Sequence, residues 1–154
     1  MISDNFLQLA VDTAKSSPLK KEIKQQAVAV AMASNAPKKI GAILLKKNRI
    51  IASAVNNYTR THPVQYFAAQ NAAKIFNEPQ LEKKIFGHAE IFCLVKARED
   101  ADTIVVCRIG GHGGKDLRNS RPCRICSNFI INSSKVIHVH YSTPQGFMYE
   151  YWGD

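Results

Sequence analysis

Apolar residues recur at helical spacing over residues 5–15 and again over 19–34, where Ile23, Ala27, Val30 and Ala31 share one side. This spacing predicts N-terminal helices within 5–34, the second capped by Ser17 with Pro18 in its first turn. The period then changes. KIGAILLKKNRIIASAV holds two β-rich apolar runs either side of the polar turn Lys46-Lys47-Asn48-Arg49, the pattern of a hairpin. After the polar connection NNYTRTHP, Pro63 opens a helix whose inward side would be Val64, Phe67, Ala68, Ala72 and Ile75. NEPQLEKK reads as a surface loop. HAEIFCLVKARE reads as a helix starting near Gly87-His88, with Ile91, Leu94 and Val95 on one face. DTIVVCRI is a buried strand, GGHGGKDLRNS a glycine-rich loop, RPCRICSNFIINSS a helix begun at Pro122, and KVIHVHYS a strand. The aromatic tail TPQGFMYEYWGD shows no obvious element of its own.

Strands alternating with helices imply an α/β layered fold whose central sheet has at least one parallel crossover. No repeat, low-complexity tract or linker divides the sequence, so residues 1–154 are expected to form one domain, long enough to bury a real core. A hydrophobic content of 45 % is ordinary. No apolar run approaches the ~20 residues that cross a bilayer. The start, MISDNFLQLAVDTAK, lacks the basic-then-apolar layout of a secretory leader. The expectation is a cytoplasmic protein with no membrane partner. There, four cysteines point to metal or redox chemistry rather than to disulfides.

Charge adds more. Twenty-one Lys and Arg against 12 Asp and Glu give +9, concentrated in the first 49 residues and around the later cysteines at Arg108, Lys115, Arg118, Arg121 and Arg124. Such a balance fits a phosphate-bearing ligand, either a mononucleotide or a nucleic-acid backbone. It fits a plainly solvated surface equally well.

Cys123 and Cys126 lie three apart after Pro122. A Cys-x-x-Cys alone serves redox pairs and zinc ribbons and also arises by chance. Cys93 and Cys107 sit in apolar patterns and read as small core residues. A thioredoxin-like pair would sit near the start of a βαβ unit, whereas this one comes late. Upstream, His88-Ala89-Glu90 opens its own predicted helix, just as Pro122-Cys123 does. One imidazole and two thiolates leave a fourth zinc position open, the arrangement of a catalytic site. Zinc lowers the pKa of water to ~7, and a carboxylate is then needed to move protons. Glu90 is offset from His88 by ~200° at 3.6 residues per turn, yet from the first turn it reaches past the metal. His-x-Glu with Pro-Cys-x-x-Cys is the zinc deaminase signature.

FGHAEIFCLVKA and NSRPCRICSNFI resemble the two zinc motifs of the cytidine/deoxycytidylate deaminase superfamily, and the resemblance runs from about residue 38 to 142. It implies a three-layer α-β-α sandwich on a mixed five-stranded sheet, the fifth strand lying in the tail around GFMYEYW. It also implies one catalytic Zn2+ ion on His88, Cys123 and Cys126, with Glu90 as proton shuttle. The family's asparagine that contacts sugar or base is matched by Asn56, with Asn57 beside it. Ala89 and Pro122, next to the ligands, complete the implied substrate-binding set. The deoxycytidylate branch tends to have glycine where Asn57 stands, which leaves the substrate open.

His62 is a candidate pocket residue and equally a helix-entry residue. Lys115 and Arg118, with His112, are candidates for phosphate in the glycine-rich loop, against the plainer reading of an exposed loop. His138 and His140 read as structural. Tyr149, Tyr151 and Trp152 read as tail packing before base stacking. The implied activity is hydrolytic deamination of a small-molecule cytosine nucleotide, deoxycytidylate or a related free nucleotide or nucleoside. The alternative is a cytosine in single-stranded DNA or RNA, favoured by the charge and by SRPC, which resembles the serine lead-in of polynucleotide cytidine deaminases. A tRNA-adenosine deaminase ranks lower, because that branch usually carries glutamate where this chain has Arg121. A non-catalytic zinc module ranks lower too, having no use for Glu90. Self-association into a homo-oligomer is expected from the resemblance alone.

Overall fold

The computed structural model describes residues 4–153, apart from the side chains at positions 4, 5 and 112. Helix α1 (Asp4–Asp12) and the two-residue strand β1 (Lys15–Ser16) precede α2 (Lys21–Met32). The hairpin follows as β2 (Lys39–Lys46) and β3 (Arg49–Val55), then α3 (Pro63–Ile75) and a 3-10 turn over Pro79–Lys83. The second half comprises α4 (Ala89–Lys96), β4 (Thr103–Gly110), β5 (Asp116–Arg118), α5 (Arg124–Ser133), β6 (His138–Thr143) and β7 (Gly146–Tyr151).

One mixed sheet runs β1-β7-β6-β4-β2-β3, with β5 added to β4. Among the described strands, only β4 and β6 pair in parallel, and α5 is their crossover. The sheet therefore has seven strands, not five. The two extra ones, β1 and β5, have two and three residues, too few to show a period. The tail strand around GFMYEYW is present as β7, antiparallel to β6.

Strand alternation splits the core. Ile43 and Leu45 of β2 join Val105, Cys107 and Ile109 of β4 under Ala27 and Ala31 of α2. Ala42 and Leu44 point the other way, with Ile104, Val106 and Val139, beneath Ala89 and Cys93 of α4 and Ile130 of α5. Each fully buried Leu or Ile contributes about 1.5–3 kcal/mol. Helix α2 approaches β2 so closely that a Cβ on Gly41 would lie 2.5 Å from the Ala31 backbone nitrogen. A third cluster joins Ala68, Ala69, Ala72 and Ala73 of α3 to Leu81, Ile91, Ile125 and Cys126, so α3 packs on the helices rather than on the sheet.

Three expectations shift. Helix α2 begins at Lys21 rather than at Ser17-Pro18, because the Ser17 hydroxyl is engaged with His140 Nδ1 at 2.7 Å. On α3, Phe67 and Ile75 are exposed and the inward face is Gln65 with the alanines. Small side chains there let α3 sit close against Ile125 and Cys126, and a stripe with Phe67 would hold it away. On α4, Val95 is exposed and Leu94 half-buried, while Ala89, Glu90, Ile91 and Cys93 are buried. The hairpin turn is as read: Lys47 and Asn48 take positive φ of 50° and 66°, as a two-residue turn requires. Among the described residues, no helix is long and apolar enough to cross a membrane.

Candidate zinc centre and active site

His88 caps α4 in extended conformation, and Cys123 caps α5 the same way. Neither side chain folds back to cap its helix, so both are free to point outward. Cys126, three residues on, lies on the same side of the first α5 turn as Cys123. The Ser127 amide donates to the Cys123 carbonyl at 2.7 Å and its hydroxyl to the Pro122 carbonyl at 3.0 Å, bracing this turn.

The result is a cluster in which one ligand atom from each of His88, Cys123 and Cys126 lies within 4.8 Å of the others. His88 Nδ1 is 3.2 Å from Cys126 Sγ and 3.5 Å from Cys123 Sγ. A tetrahedron with bonds of about 2.0–2.3 Å has edges of roughly 3.3–3.8 Å, so the spacing fits zinc. One nitrogen and two sulfurs fill three positions and leave the fourth for a reacting molecule. Both helix N-termini meet here, and their dipoles favour thiolates.

The electrostatics agree. The Cys123 thiol is held well below its ordinary value by a hydrogen bond from Cys126, with His88 helping against burial. Burial pushes Cys126 well up. Burial works to lower His88, but the hydrogen bond and charge of Cys123 prevail and raise it. Metal uptake replaces these protons, so it is pH-dependent. Glu90 is buried and its carboxyl is raised, chiefly by desolvation. A carboxyl shifted upward holds its proton more readily, which suits proton exchange.

Over the centre lies a cavity of about 500 Å³ whose lining includes His88, Ala89, Glu90 and Cys123. Asn56 and Asn57 line it as well. The Asn56 carbonyl accepts from Ser34 Oγ at 2.6 Å and from the Ile40 amide at 3.1 Å, and its Nδ2 donates to the Lys38 carbonyl at 2.6 Å. The Asn57 carbonyl accepts from the amides of Thr59 and Arg60 and shapes the loop. Pro122 is buried behind the ligands and is not in the lining. His62 also lies outside it: its Nδ1 accepts from the Val64 amide at 3.0 Å, and its ring meets Phe92 edge-on. Lys115 and Arg118 flank a separate surface hollow with Pro144. The His112 side chain falls outside the described residues.

Gln65 and the way the fold gathers the cavity's cations escape the sequence reading. Gln65 is fully buried on α3, accepting from the His88 amide at 3.1 Å and donating to the Lys84 carbonyl at 3.2 Å. Its only sequence signal is an amide in the first turn, three and four residues before Ala68 and Ala69. The cavity's cations are Lys38, Lys83, Lys84, Arg108 and Arg121, drawn from separated segments. Cys93 and Cys107 are core residues, their thiols pushed up to about 12 and about 11 by burial. His140 is buried, held down to about 4 chiefly by desolvation, and is structural. Trp152 packs inside, its Nε1 donating to Glu150 at 3.0 Å.

A search of curated proteins returns no match. The family described as the cytidine and deoxycytidylate deaminase zinc-binding region matches residues 17–143, reaching back beyond the hairpin to include α2. That span covers most of the chain and contains His88, Cys123 and Cys126 as well as Glu90. The chain thus belongs to the cytidine and deoxycytidylate deaminase family, with a His/Cys/Cys centre that fits one catalytic zinc ion.

Proposed function

We propose that the protein hydrolytically deaminates a cytosine nucleotide, deoxycytidylate or a related free nucleotide or nucleoside, giving the uracil form and ammonia. The observation that carries this reading is a buried carboxyl, Glu90, sharing one cavity with zinc ligands His88 and Cys123. Zinc bound there supplies Lewis acidity that brings the pKa of water to ~7. Glu90 takes a proton from water as oxygen adds to C4 and returns it to ring N3. It then moves the remaining hydroxyl proton to the amine nitrogen, the C4–N4 bond breaks, and ammonia leaves. One placed carboxylate of this kind is worth ~10²–10⁴ in rate. Ala89, Asn56 and Asn57, in the same wall, belong to the substrate side of this reading. The reading also takes residues 1–154 as one deaminase domain of three layers, with α2 on one sheet face and α4 and α5 on the other.

A cytosine within a single strand is the second reading. What favours it is that two exposed aromatic residues, Tyr58 and Phe86, line the cavity together with its lysines. The test is ammonia release by zinc-loaded protein from cytidine, deoxycytidine, their monophosphates and single-stranded oligonucleotides, with Glu90→Ala as the blank. Turnover of a monomer that disappears in Glu90→Ala is the expected result. No release from any of these, or a near-normal rate in Glu90→Ala, would sink the proposal.

A further inference from the structure

Four of the cavity's five cations have no ion-pair partner among the described residues. Arg121 is paired with Glu150, and Arg124, between the two cysteines, is paired with Glu78. Arg108 is half-buried in the cavity wall, yet it makes no ion pair among the described residues. A guanidinium held partly out of water without an anion is unfavourable unless something arrives to pair with it. Arg108 projects from the C-terminal end of β4, in register with Ile40 of β2, which also lines the cavity. Lys38 enters from just before β2, while Lys83 and Lys84 come from the segment that leads into His88. All three lysines are exposed and free of ion pairs among the described residues. Lys39, beside Lys38, is by contrast tied to the Ser34 carbonyl. The only carboxylate in the lining is Glu90, which the proposed chemistry keeps for protons.

We infer that Lys38, Lys83, Lys84 and Arg108 form a phosphate subsite at this cavity, so that the cytosine substrate enters as a phosphate-bearing molecule and not as a nucleoside. The inference rests on the deaminase reading for the identity of the base. The phosphate group itself is recognised by charge: a guanidinium offers a planar fork to its oxygens, and lysines add mobile point charges. A nucleotide's 5′-phosphate and a polynucleotide backbone share this chemistry. Arg118, opposite Arg108 across β4 and β5, does not join the subsite because its side chain runs along Gly110 and Gly111.

The test uses product-type probes that the zinc-loaded full chain does not consume. Equilibrium binding is compared for deoxyuridine, deoxyuridine 5′-monophosphate and a single-stranded deoxyuridine oligonucleotide, from about 50 to about 200 mM salt. The phosphate should improve binding about tenfold or more. That ratio should collapse towards one in Arg108→Gln and in Lys83→Ala/Lys84→Ala, with circular dichroism confirming that both variants fold. A ratio near one in the parent, or a ratio unchanged in both variants, overturns the subsite. The source of the phosphate shows in the salt response: a shallow slope assigns the site to a mononucleotide, and tighter, steeply salt-dependent oligonucleotide binding assigns it to a backbone. Ammonia release separates the two claims. A phosphate preference without turnover removes the deaminase reading alone, and turnover without a phosphate preference removes the subsite alone.

Discussion

Replacing Arg121 with methionine should destabilise the protein by about 3 kcal/mol, the lower end for breaking a buried ion pair, because the guanidinium is partly exposed. The loss comes from the partner. Glu150 is 1 % exposed and accepts from Arg121 Nε at 2.7 Å, Arg121 Nη2 at 2.9 Å, Trp152 Nε1 at 3.0 Å and the Tyr141 hydroxyl. Burial alone would raise this carboxyl; the bonds from Arg121, Tyr141 and Trp152 outweigh it and hold it below the usual carboxylate range. Its stabilising contribution is therefore complete above the unfolded value of about 4.3 and is lost as pH falls through the folded one. Urea unfolding of the zinc-loaded protein at pH 7 measures the cost, and unfolding from pH 7 down to about pH 3 tests the sign. Arg121→Met should flatten the acid dependence. Arg121→Lys should restore only part of the stability, since an ammonium does not reproduce the two-pronged contact. Arg121→Met with Glu150→Met should recover most of the loss, because no lone charge is then buried. If Arg121→Met unfolds within about 0.5 kcal/mol of the parent, the surface range, the argument from the buried carboxylate is wrong.

Cys126→Ser should lose bound metal and ammonia release together, checked by metal content and by the deaminase assay. Gln65→Leu leaves the His88 amide and the Lys84 carbonyl without their partner; we expect a loss of about 2 kcal/mol in urea unfolding and of about 10–100-fold in zinc affinity by competition with a chelator dye. Thiol alkylation followed by mass spectrometry should label Cys123 first once zinc is stripped, its thiol being held low. Cys93 and Cys107, at about 12 and about 11 and buried, should stay unmodified until the protein unfolds.

The candidate zinc centre was legible in the sequence because His88 and Cys123 sit at two helix starts, and helix starts leave a sequence mark. Pro122 before Cys123 is one such mark, and the start of the helical pattern at Gly87-His88 after a polar loop is another. The angle between His88 and Glu90 was the weak step. An offset of ~200° presumes that both residues lie in the helix. His88 instead caps α4 with extended backbone, and only Glu90 is helical, so the two share a cavity without reaching around a turn. What the sequence hid is what only the fold assembles. Lys38, Lys84 and Arg108 lie in different segments, and no local pattern ties them together. The inward face of α3 was hidden for another reason: Phe67 and Ile75 are the apolar residues that periodicity selects, whereas packing selected Gln65 and four alanines because they are small or can bond the ligand loop.

Two features that leaned towards a polynucleotide are engaged within the fold. The serine of SRPC is buried, its hydroxyl donating to the Val106 carbonyl at 2.8 Å and meeting Ser142 Oγ at 2.8 Å, so Ser120 braces β4 to β6. In the tail, Trp152 is bound to Glu150 and the Tyr149 hydroxyl lies 2.7 Å from His138 Nδ1. Tyr58 and Phe86 are the exposed aromatic residues in the cavity lining. Stacking on an aromatic ring is worth about 1–3 kcal/mol per base, so losing one stack costs roughly 5–150-fold in affinity. Tyr58→Ala/Phe86→Ala should therefore weaken binding of a deoxyuridine oligonucleotide by at least the lower figure if a strand crosses the mouth. Fluorescence anisotropy at fixed salt reads this directly, with deoxyuridine 5′-monophosphate as competitor to report the pocket itself. If oligonucleotide affinity falls while the competitor keeps its potency, flanking bases stack at the mouth. Unchanged oligonucleotide affinity would leave the strand reading with phosphate contacts alone, the contacts a free nucleotide makes equally well.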